Sequence, residues 1–111
     1  MIFNIDPKIT ALLIIDPQND VLSEGGAMWN VVTKGVKETK VVEHLVELKK
    51  IAKEVGIPVF CSPRYFTDDE YNSWKFLNPL DKNMFKNKMF HKGTWGQIFI
   101  LIFSLMKIPL Y

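Results

Sequence analysis

The sequence predicts an α/β domain with a parallel sheet built around one βαβ unit, and three observations carry that prediction. Residues 11–15, Ala-Leu-Leu-Ile-Ile, are apolar at consecutive positions, which suits a strand buried on both faces, as in a parallel sheet covered by helices. Between residues 36 and 55, apolar side chains recur at helical period. Gly56 then leads into a second apolar run, Ile57-Pro58-Val59-Phe60-Cys61. A strand, a helix and a strand joined by one short connection make the two strands parallel and the crossover right-handed.

The first strand is expected over Thr10–Asp16, and its last residue opens the segment Asp16-Pro17-Gln18-Asn19-Asp20. A carboxylate where such a strand leaves the core stands at the edge where open α/β sheets form ligand crevices. Asp-Pro pairs also shape turns, and position alone leaves both roles open. After a connection over residues 17–35, a single helix is predicted from about Val36 to Val55. Val41, Leu45, Leu48, Ala52 and Val55 form its apolar stripe, and Glu47–Lys50 and Lys50–Glu54 stand at pairing distance. Gly56 fits the left-handed residue just past a helix end, and Pro58 falls near a strand start, where a missing N–H is tolerated.

A second long connection, residues 63–96, leaves the same sheet edge as Asp16. Its Tyr65, Phe66, Tyr71 and Trp74, with Trp29 from the first connection, favour order, because side chains of this size usually need burial. Thr67-Asp68-Asp69-Glu70 matches a capping box, so a short helix is predicted there. The acidic residues then serve a helix N-terminus.

Composition narrows the classes. With 111 residues the chain forms one small domain, and 48% hydrophobic with 23% charged residues is the balance of a soluble globular protein. A formal charge of +2 is too small to imply a polyanionic partner. One cysteine excludes an intramolecular disulfide and points to a reducing cytoplasm. The N-terminus lacks the basic start and apolar core of a signal peptide. The apolar run from Ile98 to Met106 is about half the roughly 20 residues that span a bilayer, so no membrane partner is expected.

These features together resemble the isochorismatase-like family of cysteine hydrolases, which includes nicotinamidases. The residues that carry the resemblance are Thr10 to Asp20, the helix with Val42-Glu43 and Leu45, the strand Gly56-Ile57-Pro58-Val59-Phe60 with the following Arg64, and Gly93-Thr94-Trp95-Gly96. The resemblance implies a three-layer isochorismatase-like (Rossmann-like) fold, here truncated. Residues 1–96 would be the N-terminal part of the domain. Residues 97–111 would be an apolar tail left by a truncation or reading-frame change.

Family members hydrolyse amides or vinyl ethers with an aspartate, a lysine and a nucleophilic cysteine. The resemblance places the aspartate on Asp16, and Arg64 and Trp95 are the candidate substrate-binding residues. A thiol is mostly protonated at neutral pH, so a carboxylate base and a nearby ammonium help to form the thiolate. Neither partner of Asp16 is found where the family has it. Lys107 arrives early and is followed by Ile108-Pro109, and Cys61 lies inside the second strand, where a core role is expected. The polypeptide is therefore expected to be inactive as it stands, as a non-catalytic interaction module or pseudoenzyme remnant. The family implies a small-molecule substrate and a homo-oligomer, and the apolar tail adds a tendency to aggregate.

Smaller signals point to no further cofactor. Arg64, the only arginine, either binds a substrate carboxylate in bidentate fashion or anchors a loop. Pro63-Arg64-Tyr65-Phe66 has no histidine, so no metal is implied. His44 and His91 are expected to face solvent. Lys75, Lys82, Lys86, Lys88 and Lys92 interleave with Phe76, Phe85 and Phe90 as in a single-strand binder, but a lysine-rich loop is more often simply solvated, and no nucleic-acid partner is expected.

Overall fold

In the computed structural model, which describes residues 3–100, two strands pair in parallel. Strand β1 covers Leu12–Ile15 and β2 covers Val59–Ser62, with Leu12 opposite Val59 and Ile14 opposite Cys61. Two further bonds extend the ladder, from Leu12 N–H to the Pro58 carbonyl and from Asp16 N–H to the Ser62 carbonyl, both 2.9 Å. The parallel βαβ unit is as expected from the sequence. The strands are shorter than predicted because Pro7–Ile9 forms a 3₁₀ turn that holds Thr10 outside the sheet.

The crossover differs from the single helix expected over residues 36–55. Helix α2 spans Trp29–Thr39 and helix α3 spans Val41–Val55, with Lys40 between them in the left-handed region at φ 50°. Lys40 N–H still reaches the Val36 carbonyl and closes α2, so one residue turns the chain without loss of the helical bond. The buried face of α3 also differs from the predicted stripe. Val42 and Leu45 pack on the sheet core and Lys49 and Ala52 are buried, whereas Leu48 and Val55 are each 48% exposed. Lys49 takes the place within the packed face that the predicted stripe gave to Leu48. A long aliphatic stem can do this at the cost of desolvating its ammonium. Beyond α3, Gly56 is left-handed at φ 79°, as expected.

The long connections are largely helical. Asn19–Leu22 forms the one-turn helix α1, Asp68–Ser73 forms α4, Pro79–Lys86 forms α5, and Trp95–Gln97 forms a 3₁₀ turn. Helix α4 carries the predicted capping box: the Thr67 hydroxyl accepts Glu70 N–H while the Glu70 carboxylate accepts Thr67 N–H.

Two small cores result among the described residues. Ile14, Cys61 and Ile100 form the first, joined by Leu12, Leu22, Val42, Leu45, Val59 and Phe99 on one face of the sheet. The opposite face is open, with Leu13 59% and Ile15 65% exposed. Phe66, Met84, Met89 and Phe90 form the second core, beyond the C-terminal edge of the strands, with Val21, Met28, Tyr71 and Phe85 around it. Phe66 is buried as its size demands, but Tyr65 and Trp74 keep about half of their surface in solvent, against expectation. Expectations for the tail beyond residue 100, including Lys107, lie outside the described residues.

Candidate functional site

Asp16 ends β1 in the left-handed region, at φ 54°. An L-residue pays for this backbone, and aspartate tolerates it better than most because its short side chain bonds locally. The position is pinned on both sides: Asp16 N–H donates to Ser62, and the Asp16 carbonyl accepts Gln18 N–H at 2.8 Å. The side chain is half-buried. Beside the end of β2, Pro63, Gln97, Ile98 and Phe99 line a cavity of about 220 Å³.

The three polar residues that follow Pro17 are buried, with Gln18 at 0%, Asn19 at 6% and Asp20 at 7% exposure. Buried polar groups must be hydrogen-bonded, and each of these is. The Gln18 amide clamps the Arg64 main chain from both ends: Nε2 donates to the Arg64 carbonyl at 2.7 Å and Oε1 accepts Arg64 N–H at 2.9 Å. Nε2 also donates to the Gln97 carbonyl, and Gln18 forms an isolated antiparallel bridge with Phe99. Asn19 Nδ2 donates to the Trp95 carbonyl at 2.9 Å, while Oδ1 accepts the Ser23 hydroxyl. Asp20 accepts Ala27 N–H at 3.0 Å on Oδ1 and Phe90 N–H at 2.7 Å on Oδ2. Gly96 lies directly against this carboxylate, where an added Cβ would stand 2.3 Å from both oxygens.

Sequence reasoning singled out Asp16 and missed the roles of the three residues after it. The available signal was a run of hydrogen-bonding side chains at a strand end, between apolar segments that need anchoring. Together Gln18, Asn19 and Asp20 tie the exit of β2, the turn before α2, the 87–90 turn and the 93–97 segment to the end of β1.

The structure brings Arg64 and Trp95 to this edge through their main chains. Their side chains remain accessible: the Arg64 guanidinium contacts Met84 Sδ at 3.7 Å and lies 5.8 Å from the Phe66 ring, and the Trp95 ring, 51% exposed, lies near Gly25. Both the anchoring of Arg64 and an available guanidinium are therefore present in one residue.

Cys61 is not at this edge. It faces the first core at 1% exposure, and burial pushes its thiol up, opposed by the Lys49 ammonium. Burial also pulls Lys49 down, opposed by Cys61. A desolvated thiol is a poor nucleophile.

His44 is exposed as expected, but His91 is not. Its side chain is 24% exposed, its Nε2 lies 2.8 Å from Asp68 Oδ1, and its ring meets Tyr71 edge-on at 5.5 Å. The phenol of Tyr71 donates to the Met89 carbonyl and is pushed up to about 12, first by burial and then by Asp20, Asp68 and Glu70. Of the phenylalanines that interleave with the lysines, Phe90 is buried at 2% and Phe85 packs with Phe66, Tyr71 and Trp74; Phe76 is 97% exposed. The second core thus uses two of these three rings. Among the described residues, no cluster of three or more His, Cys, Asp and Glu is placed to hold a metal, and no helix is long and apolar enough to cross a membrane.

The family model of the isochorismatase domain matches residues 10–101. That span runs from the start of β1 through the segment anchored by Gln18 and Asn19. Comparison with curated proteins gives no match.

Proposed function

From the premise that the chain belongs to the isochorismatase domain family, we propose that Asp16 occupies the position of the general base in hydrolysis of an amide C–N or vinyl ether bond. Arg64 and Trp95 then border the substrate, a small molecule. The observation that carries this reading is the backbone of Asp16. A non-glycine residue is held left-handed at the C-terminal end of a parallel strand, and strain of this kind gathers at functional positions.

We further propose that this polypeptide does not complete the reaction by itself. The chemistry needs a thiolate within hydrogen-bond reach of its base, about 3 Å, and the only cysteine of the chain is enclosed by the first core. Asp16 alone could assist attack by water, a contribution of about 10²–10⁴-fold, short of the roughly 10⁶-fold expected of an enzyme. The test is a panel of aromatic amides, carbamoyl compounds and vinyl ethers, offered to the wild type, Asp16→Ala and Cys61→Ser. All three should match buffer. Turnover abolished by either substitution would overturn the proposal and show a complete site.

A second reading, a non-catalytic interaction module of the cytoplasm, is favoured by the open sheet face. Parallel sheets are stable when both faces are covered, and Leu13 and Ile15 lie bare. Self-association through this face is the expected consequence. A concentration-independent monomer in sedimentation, unchanged in Ile15→Lys, would rule it out.

A further inference from the structure

The segment between α5 and the 3₁₀ turn is the most strained of the described chain. Lys88 is left-handed at φ 46°, Phe90 at φ 54° and Gly93 at φ 84°. Two of these are non-glycine residues, which hold such a backbone only when neighbours over-determine it. The neighbours are identifiable. Phe90 N–H donates to Asp20, the Phe90 carbonyl accepts Phe66 N–H at 2.8 Å, and Lys92 N–H donates to the Phe66 carbonyl at 2.9 Å. Tyr71 donates to the Met89 carbonyl, and the Thr94 hydroxyl donates to the His91 carbonyl.

One restraint differs from these in kind, because it joins an imidazole to a carboxylate through their side chains. His91 Nε2 meets Asp68 Oδ1 at 2.8 Å, across the parallel bridge between Phe66 and His91. We propose that the His91–Asp68 pair is a pH-dependent latch on the 87–97 segment, and so on the stretch that carries Trp95 to the edge beside Asp16. Histidine gains its charge between about pH 5 and 8. Protonation turns a hydrogen bond to a carboxylate into a full ion pair and tightens the latch.

The other groups around the ring do not supply an alternative switch. From α4, Glu70 is committed to the Thr67 cap and Tyr71 presents its ring edge. From α1, Asp20 is committed to two N–H groups. Lys92, the sequence neighbour, extends over the Tyr65 ring at 5.4 Å. The inference stands apart from the hydrolytic reading, since it concerns the order of the segment whether or not a bond is cleaved there.

The experiment follows amide hydrogen exchange of residues 88–96 at about pH 6 and about pH 8, corrected for the intrinsic pH dependence of exchange, with the imidazole resonances of both histidines titrated by NMR. Protection in the wild type should be about two- to fivefold higher at the lower pH, the range for an ion pair whose carboxylate is largely exposed. It should be independent of pH in Asp68→Asn and in His91→Gln, two changes that leave the Thr67–Glu70 cap in place. Asp68→Asn should shift the titration of His91 and leave that of His44, on the exposed side of α3, unchanged. Equal corrected protection at both pH values in the wild type would overturn the latch. So would the same pH dependence persisting in Asp68→Asn.

Discussion

Replacing Gly96 by alanine should be among the most damaging single changes in this chain, although it adds only one methyl group. The new Cβ would stand 2.3 Å from both oxygens of Asp20 and 2.4 Å from its Cγ, where ordinary contact begins near 3.4 Å. The carboxylate must therefore retreat by about 1 Å. Its bonds to Ala27 N–H and Phe90 N–H are 3.0 and 2.7 Å long, so a retreat of that size takes at least one of them out of hydrogen-bond range. Losing a bond to a charged acceptor costs about 1.5–3 kcal/mol, and overpacking a closed site about 1–3 kcal/mol. The expected loss is about 2.5–6 kcal/mol, against a total stability of about 5–15 kcal/mol for a domain. Gly96 is not among the left-handed glycines, so backbone strain does not confound the result.

The assay is urea unfolding of the wild type, Gly96→Ala, Asp20→Ala and the double variant, read at the midpoint with the slope held common. Asp20→Ala removes the atoms that the methyl group would strike. In that background Gly96→Ala should cost less than about 0.5 kcal/mol. Gly35→Ala is the control: it lies inside α2 with nothing within 4 Å of an added Cβ, and should stabilise by about 0.5–1 kcal/mol through helix propensity. If the Gly96 and Asp20 effects simply add, the clash is not the cause and the reasoning is refuted.

Three other outcomes are expected. Asp16→Gly should raise stability by about 0.5–1 kcal/mol and Asp16→Ala should lower it by about 1 kcal/mol, because φ 54° suits glycine and strains alanine; thermal unfolding of the pair decides it. Tyr71→Phe should cost about 1 kcal/mol by leaving the Met89 carbonyl without its donor. It should also remove an alkaline transition. The phenol is raised to about 12 in the fold, so its contribution is present below the unfolded value near 10 and is lost as pH rises through about 12; tyrosinate absorbance reports it directly. Lys49 has the opposite sign. Its value is lowered by burial, so the unfolded chain holds the extra proton and stability rises with pH up to the unfolded value of 10.5. Lys49→Met should raise stability at neutral pH and flatten that rise, as seen in urea midpoints at neutral and alkaline pH.

The parallel pair, the Gly56 turn and the capping box on α4 were legible because each is written within a few neighbouring residues. What escaped depends on partners distant in sequence. Nothing in residues 36–55 marks Lys40 as a break, because a lysine has no intrinsic preference for the left-handed region and takes it only when packing demands. Lys49 lay outside the predicted apolar stripe, and His91 was expected in solvent. The first is buried by its place on α3, and the second is paired across 23 residues with Asp68. The polar residues after Asp16 were visible as letters, but their roles require Arg64, Trp95, Gln97 and Phe90 to be brought within 3 Å, which no local pattern encodes.

That arrangement also bears on why one short segment carries so much of the site. Asp16 alone among Asp16, Gln18, Asn19 and Asp20 has a side chain not committed to a main-chain or hydroxyl partner within this network. Gln18, Asn19 and Asp20 satisfy polar groups of four separate segments, and each of those segments reaches the edge of a sheet that has two strands among the described residues. Such a sheet has little apolar area with which to hold long connections, so hydrogen bonds from one rigid turn do what a larger core would otherwise do. Next to the left-handed Asp16, Gln18 N–H closes on the Asp16 carbonyl at 2.8 Å in a three-residue turn whose central residue is Pro17. The left-handed backbone at the candidate base and the anchoring of the loops around it thus stand side by side in one short segment. A substitution that relaxes the first is expected to loosen the second only if it also breaks the Gln18 clamp. Asp16→Gly keeps that clamp and Gln18→Ala removes it. Exchange protection of Arg64 N–H should therefore survive the first change and fall in the second, and loss of protection in both would show that the strain itself holds the loops in place.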